Sequence, residues 1–96
     1  MTNELDRAVL EGKLSKAMEA LANIEHQRWS HWQKFMHSKC ERQADGSLMI
    51  PQQLVERWER QIATDYTDLT EKEKQGDRDQ VKKYIPTIID ALSNKD

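Results

Sequence analysis

The sequence predicts an all-α fold, a small helical bundle with a long first helix and about three main helices. Two observations carry this. Apolar residues recur at spacings of three and four along most of the 96 residues, the period of a helix with one buried stripe. Only three glycines and two prolines interrupt the chain, so few positions break a helix. A third observation removes the competing class. Runs that alternate apolar and polar residues with β-branched enrichment are missing, so no strand is expected.

The first helix is expected from about Asn3 to about Gln43. Asn3 suits the capping position, and Glu4 and Asp6 place acids in the first turn, where the helix dipole favours them. Leu10, Leu14, Ala17, Met18, Leu21, Ile24, Trp32, Phe35 and Met36 form its apolar stripe. Unbroken, such a helix would span about 60 Å, too long for a compact domain of this size. It is therefore expected to bend or break near Gly12 or Asn23, or to lay its N-terminal part against another subunit.

Ala44-Asp45-Gly46-Ser47 reads as the clearest turn. Pro51 suits the start of a second helix, which continues from Gln52 to about Ala63 with Leu54, Val55, Trp58 and Ile62 on one side. Asp65 to Leu69 reads as a loop. Thr70 is positioned to cap a third helix, with Glu71 and Glu73 in its first turn. Val81, Tyr84, Ile85, Ile88, Ile89 and Leu92 continue that helix, and Pro86 predicts a kink or boundary near Ile85. Ser93 to Asp96 is expected to fray.

Charged residues make up 33% of the chain, hydrophobic residues 36%, and the formal net charge is -2. A single domain over residues 1–96 fits this length. No apolar run approaches the roughly 20 residues of a membrane span. The polar, acidic N-terminus is unlike a signal peptide, and Cys40 has no second cysteine to pair with. A cytoplasmic setting fits these features. The thin set of large apolar residues favours self-association into a homo-oligomer, because small domains bury little of their surface.

Few residues carry recognisable chemistry. His26, His31 and His37 are five and six apart, which places them on different helix faces. Cys40 follows His37 by three, which offers two ligands at most, so no metal site is expected. No nucleophile motif and no glycine loop for phosphate is present, so no catalytic residue and no cofactor is assigned. The informative stretch is Ile24-Glu25-His26-Gln27-Arg28-Trp29. On a helical wheel Glu25 and Arg28 fall inside the apolar stripe and His26 falls off it. Glu25 and Arg28 are three apart and can pair, which gives a structural reading. Alternatively, Arg28 offers its planar fork to a phosphate or carboxylate. Asp77 and Arg78 straddle the apolar line of the third helix one turn before Val81. If the two stripes face each other, Glu25, Arg28, Asp77 and Arg78 form a four-charge cluster. Lys72, Glu73, Lys74 and Gln75 are expected at the surface. Trp29 sits at the edge of its stripe beside Arg28, where it could stack on a planar ring or form a core rim.

Residues 24–29 and the segment from Asp65 to Val81, with its acid-rich turn and Asp77-Arg78 opening a helix, together resemble the small helical domain named after the ryanodine receptor, the RyR domain. The Gly-Trp and His-Pro stretches that family often carries between these segments have no counterpart in Phe35 to Pro51. The resemblance implies a non-catalytic helical domain of the kind found beside channel, receptor and defence-related modules, with a nucleotide-like ligand. It carries His26, Arg28, Asp77 and Arg78 over as site positions. Stand-alone forms occur in phages and bacteria, which implies a phage protein in the host cytoplasm that sequesters a host defence signal.

Three functions follow as expectations. The first is binding of a small anionic ligand, with Arg28 and Arg78 on phosphate, Trp29 on the base, and Glu25 and Asp77 orienting the arginines. The second is a protein-protein interaction module, through the face bearing Trp29 or through the N-terminal helix, in which the charged cluster is purely structural. The third is single-stranded nucleic-acid binding through Arg28, Lys34, Lys39 and Arg42 with the interleaved tryptophans. The overall acidity argues against that last reading.

Overall fold

A computed structural model describes residues 6–93. The described residues are mainly helical, as the periodicity predicts. Five α-helices, α1 (Arg7–Lys16), α2 (Met18–Lys39), α3 (Gln52–Ile62), α4 (Glu71–Lys82) and α5 (Ile85–Ser93), are joined by one hairpin and one 3-10 turn, Tyr66–Asp68. The Asn3 cap and residues 94–96 lie outside the described residues, while Ser93, expected to fray with them, is the last helical residue of α5.

The long first helix breaks, but at Ala17 rather than at Gly12 or Asn23. Ala17 has φ -90 and ψ 4, and its N–H bonds back to the Leu14 carbonyl at 3.0 Å. Alanine is the best helix former, so local propensity does not place this break. Beyond the break, α1 packs on α5, and Lys13 Nζ donates to the Leu92 carbonyl at 3.2 Å. Gly12 and Asn23 both lie inside helices.

The helix also ends earlier than expected, at Lys39, and the absence of strands is corrected. Glu41–Arg42 (β1) pairs antiparallel with Leu48–Met49 (β2), Glu41 opposite Met49 and Arg42 opposite Leu48. Strands of two residues are too short to show a period of two. The turn is where the sequence puts it. Asp45 accepts from the Ser47 N–H at 2.9 Å and the Ser47 hydroxyl at 2.6 Å. Gly46 takes φ +90, a conformation side chains resist.

Pro51 stands at the N-cap of α3, where its missing N–H costs nothing. The predicted capping box at Thr70 is formed. The Thr70 hydroxyl accepts the Glu73 N–H at 3.2 Å, and the Glu73 carboxylate accepts the Thr70 N–H at 3.0 Å. The expected boundary near Ile85 is also present, as a turn at Lys83 and Tyr84 between α4 and α5.

The chain divides into two compact units. Unit 1 comprises residues 1–28 and 78–96, with α1, the first half of α2 and α5. Unit 2 comprises residues 29–77, with the second half of α2, the hairpin, α3 and the start of α4. Unit 2 is organised around rings. Trp32 stacks on Phe35 with centroids 5.5 Å apart and meets Trp58 edge-on at 5.7 Å, geometries that aromatic pairs prefer. Leu54, Val55 and Trp58 share the half-buried side of α3. Ile62, expected with them, is 84% exposed at the end of the helix. No described residue of either unit is fully buried.

Candidate functional site

The pair expected within 24–29 is formed. Glu25 and Arg28 lie one turn apart on α2 and make a two-pronged ion pair, with Arg28 Nε to Glu25 Oε2 at 3.1 Å and Arg28 Nη2 on Glu25 Oε1. The Tyr84 hydroxyl, from the turn before α5, donates to the same carboxylate and also interacts with Arg28. All three belong to unit 1. The Arg28 guanidinium and then the Tyr84 hydroxyl hold the Glu25 carboxyl down to about 2. The same contacts push Arg28 further up, and Glu25 with partial burial raises Tyr84.

This is a charged clamp at the surface, since 40% of the Arg28 side chain and 52% of the Glu25 side chain remain exposed. The fork of Arg28 is already matched to a carboxylate, the geometry it would otherwise offer to a ligand. Tyr84 was legible from sequence as an apolar-stripe residue only. Its partner lies 59 residues away, a distance no local pattern reports.

The remaining candidates are distributed. His26 is an exposed residue of α2 in unit 1, and Trp29 is an exposed residue of α2 at the start of unit 2. Asp77 and Arg78 are exposed neighbours on α4, Asp77 in unit 2 and Arg78 in unit 1.

A second polar centre corrects the expectation that Glu73 is solvated. Its side chain is only 15% exposed. It accepts from Arg60 Nη2 at 2.8 Å, from Gln61 Nε2 at 2.6 Å and from the Thr70 N–H, so it ties the end of α3 to the start of α4. Arg60 first, then the Thr70 backbone, hold its carboxyl down to about 2. The sequence signal was the S/T-x-x-E box, which names Glu73 as a cap but not as a bridge.

An open groove of about 300 Å³ in unit 1 is lined by Lys13, Lys16, Ala17, Ala20, Thr87, Asp90 and Ala91. None of the six candidate residues lines it. Among the described residues no group of three or more histidine, cysteine or acidic side chains is placed to hold a metal, and no helix is long and apolar enough to cross a membrane.

No protein-family model matches the chain, and no curated protein or solved structure matches it.

Proposed function

We propose that the protein is a non-catalytic helical interaction module that works by contact with another polypeptide. The observation that supports this is the exposure of its large apolar residues. Trp29, Ile62 and Tyr66 of unit 2, and Met18, Val81, Ile85 and Ile89 of unit 1, are all exposed. Isolated exposed apolar residues are ordinary, and it is their number in so small a chain that supports a partner covering some of them. In this reading the Glu25–Arg28–Tyr84 clamp is structural. It satisfies its own charges and holds the turn before α5 to α2.

The competing function is the small anionic ligand, with Arg28 as its anchor. It is favoured by the residual exposure of the Arg28 fork and by the sequence resemblance to the RyR domain. An NMR titration of the full chain with ATP and with a cyclic dinucleotide separates the two. The interaction module gives no saturable shift at His26, Arg28 or Trp29. Saturable shifts there that vanish in Arg28→Ala would establish the ligand site instead. Native mass spectrometry of the purified chain then reads the interaction directly. A stoichiometric polypeptide complex is expected, whereas a bare monomer whose tryptophans resist acrylamide quenching overturns the module.

A further inference from the structure

The reading of an interaction module leaves the chemistry of its partner open, and the second half of α2 narrows it. The inference rests on that reading. Within unit 2, α2 carries Lys34, Ser38, His31, Phe35, Lys39 and Trp32 in an arc of about 160°, at 100° per residue. All six are exposed, whereas Gln33 and Met36 on the other side of the helix are half-buried.

The fixed charges of this arc have one sign. No aspartate or glutamate occurs on α2 after Glu25, and the next acid, Glu41, lies on β1. Among the described residues neither Lys34 nor Lys39 meets a carboxylate within ion-pair distance. Lys39 Nζ instead stands over the Phe35 ring, 5.4 Å from its centroid. Beside the lysines, Trp32 and Phe35 stack on each other and remain 41% and 43% exposed. Each half of the pattern selects something. Like charges facing each other across an interface are penalised, so two ammoniums without a local counter-ion favour a partner that carries carboxylates. Half-covered rings favour an apolar side chain laid against them.

We propose that this arc docks an acidic segment of a partner polypeptide. Its carboxylates pair with Lys34 and Lys39, and an apolar side chain among them covers Trp32 and Phe35. A single-stranded nucleic acid fits the same arc less well. Stacking a base needs an open ring face, and here one face of Phe35 is taken by Lys39 and the two rings are stacked on each other. Residues 29–77 also hold nine acids against seven lysines and arginines, so a polyphosphate running off the arc meets repulsion. The contact is small and belongs to the transient class, below about 1,200 Å² of total area. Its charged part is screened by salt.

Two-dimensional NMR of the full chain, titrated with a glutamate–tyrosine copolymer as the probe, tests this. Amides of residues 31–39 shift and saturate at low salt, and the shifts fade as salt is raised. Lys34→Glu with Lys39→Glu weakens binding at least about ten-fold, since each reversal turns an attraction into a repulsion. Lys72→Glu with Lys82→Glu changes the net charge equally and leaves binding as it was. Should the first variant misfold, Lys34→Gln with Lys39→Gln takes its place and weakens binding in the same direction. Poly-glutamate binds more weakly than the copolymer, and equal binding overturns the part given to the rings. An oligo-thymidylate that shifts the same amides and binds more tightly than the copolymer overturns the polypeptide and assigns the arc to single-stranded nucleic acid. No shift at residues 31–39 with the copolymer, or shifts that survive the two lysine reversals, overturns the arc as a docking site. Native mass spectrometry judges the interaction module separately, because a stoichiometric polypeptide complex keeps that reading standing when this arc fails.

Discussion

The hydroxyl of Tyr84 donates to the carboxylate of Glu25, and that carboxylate also grips Arg28. The three side chains bind the turn before α5 to α2 within unit 1. Tyr84→Phe removes one donor and leaves the ion pair intact, so it should lower the thermal midpoint slightly. Arg28→Ala removes both prongs and should lower it more. Neither should unfold the protein, because the pair is partly solvated. Loss of a fully buried partner would cost several-fold more. Circular dichroism melts of both variants, with helicity compared at low temperature, check the order.

Glu25 and Glu73 are both held down to about 2, against 4.5 for an ordinary glutamate. A carboxyl whose pKa is depressed in the folded state contributes stability above its unfolded value. That contribution is lost as pH falls, because the unfolded chain takes up protons first. Stability should therefore be level above about pH 5 from these two groups, and should decline from pH 4.5 down to about 2. Asp45, lowered by the Ser47 hydroxyl and then the Ser47 backbone, adds to the same acid limb. Urea titrations between pH 7 and 2 check this. Glu73→Gln should lower stability at neutral pH and flatten the acid limb. An unchanged limb would remove Glu73 from its assigned role.

The parts of this structure legible in sequence are those governed by neighbours in the chain. The Ala44–Ser47 turn, the Thr70 cap and the boundary near Ile85 each follow from residues no more than three positions apart, and each is present. The parts that were not legible depend on distant partners. The break at Ala17 has no local signal, since alanine is the best helix former. Charged sequence neighbours predict a solvated Glu73, yet Arg60 and Gln61 of α3 bond to it. The Glu25–Arg28 pair was visible as an i,i+3 spacing, and its third member was hidden by 59 residues of sequence. Asp77 and Arg78 were linked to that pair only by periodicity, which fixes a face on one helix and says nothing of which helix it meets.

Thr70 ends the connection after the 3-10 turn and starts α4. Its hydroxyl takes the Glu73 N–H, one of the donors a helix start leaves without an internal partner. Thr70→Ala should cost about 0.5–2 kcal/mol, and Thr70→Ser should restore most of it. Hydrogen exchange gives a local readout. Amides at the start of α4 should lose protection in Thr70→Ala, while those of α1 should not. Uniform loss across the chain would mean that the cap matters only through global stability.

Gly46 gives the sharpest separation of backbone from packing. Its φ is +90, and a Cβ built there meets nothing within 4 Å. A substitution at Gly46 therefore costs only the strain of the left-handed region, with no steric clash to add to it. Gly46→Ala should lower stability by about 1–2 kcal/mol. Gly46→Val should cost more, because a β-branched side chain is the least tolerant of positive φ. Gly46→Asn should cost least of the three, since asparagine enters this region most readily. Chemical denaturation of the three variants gives the ranking. The hairpin bond from the Gln43 N–H to the Ser47 carbonyl, 2.7 Å long, supplies the local readout through its exchange rate. If all three variants match the wild type, the turn has relaxed to another conformation, and that one bond should then have lost its protection.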